Sequence, residues 1–438
     1  MSISYSYILQ RAWPIILANA SVPLLALADT AIIGNLGTTS DLGAIAFGSL
    51  IFNFIYWSFG FLRMGTTGFI SQANGARNEP EVRNVLWRSL LIAGVIGASI
   101  ILLQWPIKWL TLSALHGDMT VETLAADYFS IRVWGAPATL ATFALMGTLI
   151  GLGASRLLLA LQIFLNGLNI VLDYFFAGFL NMGASGIALG TFIAEWSAFI
   201  VGLFIVISLL RRRNKDSSSE KFIHWQKILD PQLIHATLSA NGDIFIRTVL
   251  LLLAFYWFTD QSAQFSNDIL AANHILLQII SFSAFFIDGF AFVAESLVGT
   301  AIGGKNKIHF QQAVKRSSIL AGITALGLAV IIVLLGQHVV DALTNITTVR
   351  EAAYSSLWFV AIYVLFSVGA FQLDGIFIGA TRTREMRLAS LQATAIFFLT
   401  SLVLTPWLHN AGLWLSFIVY VLCRALMLLR FFETVSPR

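Results

Sequence analysis

Twelve stretches of this sequence stay apolar for about twenty residues or more. They lie near 11–34, 45–73, 87–110, 128–151, 158–180, 183–210, 234–258, 269–302, 316–337, 352–380, 388–407 and 411–432. At 1.5 Å per residue, a helix of that length reaches across the roughly 30 Å hydrocarbon core of a bilayer. Backbone in hydrocarbon has no water to bond, so it must pair internally, and unbroken apolar runs do so as helices. The expectation is an all-α polytopic membrane protein with twelve transmembrane helices. Charged residues make up 11% and apolar ones 58%, against about 25% charged in a soluble domain. This composition excludes a soluble enzyme and a nucleic-acid binder.

The basic residues alternate by loop. Arg77, Arg83 and Arg88 follow the second run, Arg156 the fourth, Arg211 to Lys227 the sixth, Lys305 to Arg316 the eighth, and Arg382 to Arg387 the tenth. The intervening loops hold only Lys108 and Arg350. By the positive-inside rule both termini and the central linker are expected in the cytoplasm, with the chain in the inner (plasma) membrane. Residues 1–10 show no cleavable signal pattern. The single cysteine, Cys423, allows no intrachain disulfide. The one long hydrophilic stretch, 211–232, divides the chain into an N-terminal lobe (1–210) and a C-terminal lobe (233–438) of six helices each.

The halves look duplicated. Gly60-Phe61 through Asn74-Gly75 matches Gly289-Phe290 through Gly303-Gly304. The Arg88-Ser89 segment matches Arg316-Ser317, and Gly153-Ala154-Ser155-Arg156 matches Gly379-Ala380-Thr381-Arg382. An even number of helices per half makes these parallel repeats, an architecture suited to alternating access.

Within the first run, Asp29 stands between Ala28 and Thr30, six residues after Pro23. A carboxylate at the bilayer centre costs roughly 2.5–3.5 kcal/mol, so it is kept for a reason. Pro23 lacks an N–H and clashes with the carbonyl of Asn19, so a hinge is expected there. Asn169 and Asp173 share one helix face, as do Thr191 and Glu195 on the next helix. These oxygens suit a hard cation or a protonated carboxyl; hydrogen bonds that merely link helices remain the alternative. Asp243 and Arg247, four apart, are expected to neutralise each other. Asp288, Glu295 and Asp374 have no obvious partner, and Arg63 is expected to pair with a carboxylate or face water. His274 is expected to be a satisfied buried imidazole.

Gly299-Thr300-Ala301-Ile302-Gly303-Gly304-Lys305-Asn306 nearly fits a P-loop, but Asn306 replaces the required Ser/Thr and no strand precedes it. No hydrolase or zincin motif occurs, so no enzymatic activity is expected. With no nucleotide machinery, transport would draw on an ion gradient.

Asp29-Thr30-Ala31-Ile32-Ile33-Gly34-Asn35-Leu36-Gly37 resembles the first-helix signature of the multidrug and toxic compound extrusion (MATE) family. Phe61 to Gly68, Asn169 to Asp173 and Leu373 to Arg382 look like its DinF (DNA-damage-inducible protein F) branch. The resemblance runs nearly end to end and implies two pseudo-symmetric six-helix lobes, the MATE fold. It implies antiport of amphipathic, often cationic, organic compounds against H⁺ or Na⁺, with no other cofactor. Residue by residue, it puts the coupling-cation site on Asp29, Asn169, Asp173 and Thr191, with the first helix bending at Pro23. Glu195, Arg63 and Asp374 are secondary candidates. The expected partners are small organic molecules and the lipid bilayer, and a monomer is expected. The competing reading is a lipid-linked precursor flippase of the wider superfamily, which would need a strongly cationic cavity; Arg63, Arg132 and Arg247 are too few for one.

Overall fold

The structure, a computed structural model, describes residues 3–113, 118–213 and 223–437. Lys215 to Lys221, the centre of the expected linker, lie outside the described residues. In chain order the helices are α1 (Tyr5–Leu36), α2 (Thr39–Ser58), α3 (Phe61–Gly75), α4 (Glu79–Leu102), α5 (Gln104–Ser113), α6 (Met119–Arg132), α7 (Ala136–Gly151), α8 (Ser155–Asp173) and α9 (Gly183–Arg213). They continue with α10 (Trp225–Ile228), α11 (Pro231–Ala263), α12 (Asn267–Gly303), α13 (Lys307–Leu343), α14 (Thr347–Gly379) and α15 (Thr383–Leu429).

Among the described residues, 11 helical runs are long and apolar enough to cross a membrane. The last, α15, has 47 residues, about 70 Å of helix, more than twice a hydrocarbon core. It is broken at His409 (φ 49, ψ −131), three residues after Pro406. Each part is long enough for its own crossing, which gives the twelve expected.

The chain divides into two compact units. The N-terminal unit is Leu17–Asn74 and Asn78–Thr237; the C-terminal unit is Met1–Ile16, Gly75–Arg77 and Leu238–Arg438. The divisions fall inside α1 and α11. α9 runs on to Arg213, which donates to Asn74 and Glu79, each at 2.6 Å. Arg88 donates to the Lys227 carbonyl at 3.0 Å, holding the short α10 against α4.

The duplication is physical, with one constant offset of 228 residues (305 less 77). Thr38 caps α2 and Ser266 caps α12; Asn78 caps α4 and Asn306 caps α13, each side chain accepting a backbone N–H of the first turn. That is the role of the Asn306 that spoils the P-loop. Left-handed residues end helices at Arg77 and Lys305, at Gly153 and Thr381, and at Asn181 and His409. The break in α15 is thus the second copy of the loop between α8 and α9. Glycine contacts repeat too. Gly147 lies against the Arg63 carbonyl, as Gly375 lies against that of Ala291. Gly151 lies against Thr67, and Gly379 against Glu295. This corrects two of the three sequence matches. Gly379 answers to Gly151, not Gly153, and Gly289 to Phe61, not Gly60. The Arg88 and Arg316 match stands.

Candidate functional site

The site is built where α8 meets α9. One stripe of α9 carries only small residues, Gly186, Gly190, Ala194, Ala198 and Gly202, all buried. Small residues let backbones approach where lipid supplies no hydrophobic drive. The helices run antiparallel in register: Gly186 against Ala177, Gly190 against Asp173, Gly202 against Leu161. A Cβ on Gly190 would overlap Asp173 Oδ1, so that carboxylate can lie here only against a glycine. α8 ends at Asp173 and continues as a π-helical turn, Tyr174–Phe179, a widening common at functional sites.

Asp173 is fully buried and Asn169 is 1% exposed. The Asn169 amide Nδ2 donates to Asp173 Oδ2 at 2.7 Å and to Thr191 Oγ1 at 3.2 Å. Thr191 spends its own proton on the Ile187 carbonyl at 2.8 Å. Asp29, half-buried on α1, brings its carboxyl within hydrogen-bonding reach of Asp173, and Arg132 exerts its charge on both. Two carboxyl groups hydrogen-bond each other only while one carries a proton. Asp29 Oδ1, Asp173 Oδ1 and Asn169 Oδ1 are buried and meet no hydrogen-bond donor from the protein. Buried polar atoms are ordinarily bonded. Three such oxygens in one cluster define a place for a proton or a hard cation. Among the described residues no group of three or more His, Cys, Asp or Glu side chains is arranged to hold a metal ion.

The structure therefore brings Asp29, Asn169, Asp173 and Thr191 together. It also extends the cluster. Gln162 donates to Asn166 at 3.3 Å, and Asn166 donates to Ser21 of α1 at 2.7 Å. Gln162, Asn166, Asn169 and Asp173 form a buried polar stripe along α8, recurring every three or four residues. That helical period is legible in the sequence, but Gln162 and Asn166 carry no charge, so nothing in the sequence marks them out from helix-linking amides. α1 runs as helix through both Pro14 and Pro23 without interruption.

The secondary candidates lie elsewhere. Glu195 does not join Thr191; its Oε1 holds Arg132 Nη1 at 2.5 Å, both residues buried. Gly135 makes room for that carboxylate, and Arg132 also packs 4.9 Å from the centre of the Phe52 ring. Arg63 sits on α3, its carbonyl against Gly147. Asp374 lies in the C-terminal unit, where one oxygen, Oδ2, takes both Arg247 and Arg424, the latter at 2.5 Å. The expected Asp243 and Arg247 pair does not form. Asp243 instead holds Arg387 at 2.8 Å and Thr383 at 3.0 Å. Partners on other helices offered better geometry than the neighbour one turn away, which no spacing rule could foresee. His274 is exposed rather than buried.

The carboxyl pair is not duplicated. At the constant offset Asp29 corresponds to Trp257 and Asp173 to Ser401, and there the indole Nε1 donates to the hydroxyl at 3.1 Å. Asn169 corresponds to Phe397, in a cluster of aromatic rings with Phe398, Phe417 and Tyr420.

Comparison with known proteins agrees with this architecture. The MatE family profile matches residues 14–175 and 245–407, one match in each half. The chain is 37% identical over 417 residues to DNA damage-inducible protein F of Escherichia coli, covering 95% of this chain and 89% of that one. It is 26% identical to Protein DETOXIFICATION 44, chloroplastic, of Arabidopsis thaliana, over 95% of this chain and 80% of that one. It is 24% identical to a probable multidrug resistance protein NorM of Acinetobacter baylyi, over 95% and 93%. The fold matches the crystal structure of the Vibrio cholerae MATE transporter VcmN with TM-score 0.87 at 20% identity, covering 98% of this chain and 96% of that one. It matches a MOP superfamily transporter from Pyrococcus furiosus with TM-score 0.86 at 19% identity, covering 98% and 95%. A duplicated twelve-helix fold, a family match in both halves and a relative aligned along nearly the whole chain lead to one conclusion: this chain belongs to the MatE (multidrug and toxic compound extrusion) family of membrane transporters.

Proposed function

We propose that the protein is a proton-coupled antiporter exporting amphipathic, often cationic, organic compounds by alternating access. The observation that carries this reading is the Asp29 and Asp173 carboxyl pair with its three donorless buried oxygens. Bringing two carboxyl groups together without a shared proton sets like charges against each other in a medium of low dielectric. Loss of the proton therefore drives Asp29 away from Asp173, and α1 with it. Pro23 leaves the Asn19 carbonyl without its helical donor, so α1 bends there at lower cost than elsewhere. Arg132, held by Glu195, lowers the cost of ionising the pair without entering it. This built-in cation, together with a carboxyl pair that can share a proton, favours H⁺ over Na⁺ as the coupling ion. Exchange of one proton for one monovalent cation moves no net charge, so the pH difference drives it, at about 1.4 kcal/mol per pH unit, enough for a roughly ten-fold substrate gradient.

We place both termini on the cytoplasmic side of the plasma membrane, from the charge asymmetry of the loops, with the monomer as the working unit. The names of the relatives support drug-like substrates: a probable multidrug resistance protein is among them. The flippase alternative gains nothing from the C-terminal unit, because Arg247 and Arg424 are both spent on Asp374.

The test is efflux of a cationic dye from proteoliposomes under separately imposed pH and Na⁺ gradients. A pH gradient alone is expected to drive efflux, and Asp29→Asn to abolish it while the protein still inserts. Efflux driven by Na⁺ alone would overturn the choice of ion. Normal efflux by Asp29→Asn would overturn the site.

A further inference from the structure

The N-terminal unit carries a second feature, which the transport reading does not use. A groove of about 460 Å³ opens on the surface of α9, lined by Phe204, Ile207, Ser208, Arg211 and Arg212. Its two ends differ in chemistry. Phe204 is 74% exposed and belongs to the apolar run of the helix. Arg211 and Arg212 are exposed and belong to its last turn. Phe204 and Arg211 are separated by ~10 Å along the axis, about the distance from the level of a lipid phosphate to the upper part of its acyl chain. None of the five lining residues is acidic.

The neighbourhood sharpens the sign. Arg213 donates to Glu79 and Asn74, which fixes the end of α9. The register of α8 against α9 sets Arg156, exposed in the first turn of α8, level with Ile207. Guanidinium groups bind phosphate through paired N–H donors and hold their charge at every physiological pH. Basic sites beside transmembrane helices at the membrane surface are the sites where anionic headgroups bind.

We propose that this groove is a binding site for an anionic glycerophospholipid. The phosphodiester lies between Arg211 and Arg212, Ser208 meets the glycerol ester region, and an acyl chain lies along Ile207 and Phe204. Such a lipid would brace α9, which carries Thr191 and the small-residue stripe. The assignment stands independently of the substrate and of the coupling ion.

The experiment uses the full chain, purified in a neutral detergent and titrated with fluorescent phosphatidylglycerol or fluorescent phosphatidylcholine. Tighter binding of phosphatidylglycerol is expected. Arg211→Gln and Arg212→Gln should each weaken it about five-fold and the double variant roughly thirty-fold, at about the strength one basic residue contributes at an anionic surface. Phe204→Ala should weaken both lipids alike. Arg384→Gln, which removes an exposed charge elsewhere, should change neither lipid by more than about two-fold. Equal binding of the two lipids, or a loss matched by Arg384→Gln, would overturn the assignment, as would displacement of the lipid by millimolar inorganic phosphate. The single variants and Phe204→Ala keep the test decisive if the double variant does not fold.

Discussion

Replacing Gly190 by alanine separates the site from the scaffold that carries it. The added Cβ would overlap Asp173 Oδ1 and stand 3.0 Å from the Asp173 backbone nitrogen and 3.1 Å from the Leu172 carbonyl carbon. Restoring ordinary contact requires a movement on the order of 1 Å. Either α8 and α9 part by that much or the carboxylate rotates away. Parting the helices stretches the 3.2 Å bond from Asn169 to Thr191, and rotating the carboxylate stretches the 2.7 Å bond from Asn169 to Asp173, in either case beyond hydrogen-bonding distance. The structural cost is about 1–3 kcal/mol of overpacking. The functional cost is a hydrogen bond to a charged group, about 1.5–3 kcal/mol, or a roughly ten- to hundred-fold loss in proton-driven efflux. Gly202→Ala is the control. It adds the same methyl to the same stripe, but the nearest atoms are the tips of Leu161 and Leu145 at 3.0 and 3.1 Å, which can turn aside. Dye efflux from proteoliposomes, normalised to folded protein by size-exclusion chromatography, should fall for Gly190→Ala and hold within about two-fold for Gly202→Ala. Equal efflux by the two variants would show that Asp173 need not sit where it does, and the argument from the carboxyl pair would fail.

Three further outcomes follow from the same geometry. Asp374→Asn leaves two buried guanidinium groups facing a neutral side chain, so it should cost about 3–5 kcal/mol of stability, read by thermal unfolding in detergent, while the surviving protein keeps the wild-type ratio of protons to substrate. Arg132→Leu should destabilise by a similar amount because it strands Glu195, and adding Glu195→Leu should recover most of it; a double variant no more stable than Arg132→Leu would deny that the pair is structural. Since Trp257 and Ser401 replace the carboxyl pair in the C-terminal unit, substrate binding to the purified protein should release no more than one proton per chain, measured with a pH dye in weak buffer.

The sequence by itself determined the class of the molecule. Runs of about twenty apolar residues permit only helices in a bilayer, and alternating basic loops order them, so the twelve crossings were legible without any contact being known. Asp29, Asn169 and Asp173 stood out because a polar group in hydrocarbon is conspicuous and the helical period puts Asn169 and Asp173 on one face, but spacing alone left helix-linking hydrogen bonds as an equal alternative, and it was the family resemblance that grouped them with Thr191. Only the tertiary structure decided who meets whom. Thr191 and Glu195 share a helix, yet one turns to Asn169 on α8 and the other to Arg132 on α6. Asp243 and Arg247 are one turn apart, yet each takes its partner from another helix. The register of the repeat, blurred by one or two residues in the sequence, became definite through caps, left-handed turns and glycine contacts, because these record backbone geometry that many side chains can satisfy. Spacing along one helix fixes direction only. A short-range bond also depends on the approach of the neighbouring helix, and here that approach is set by where a glycine lets two backbones touch.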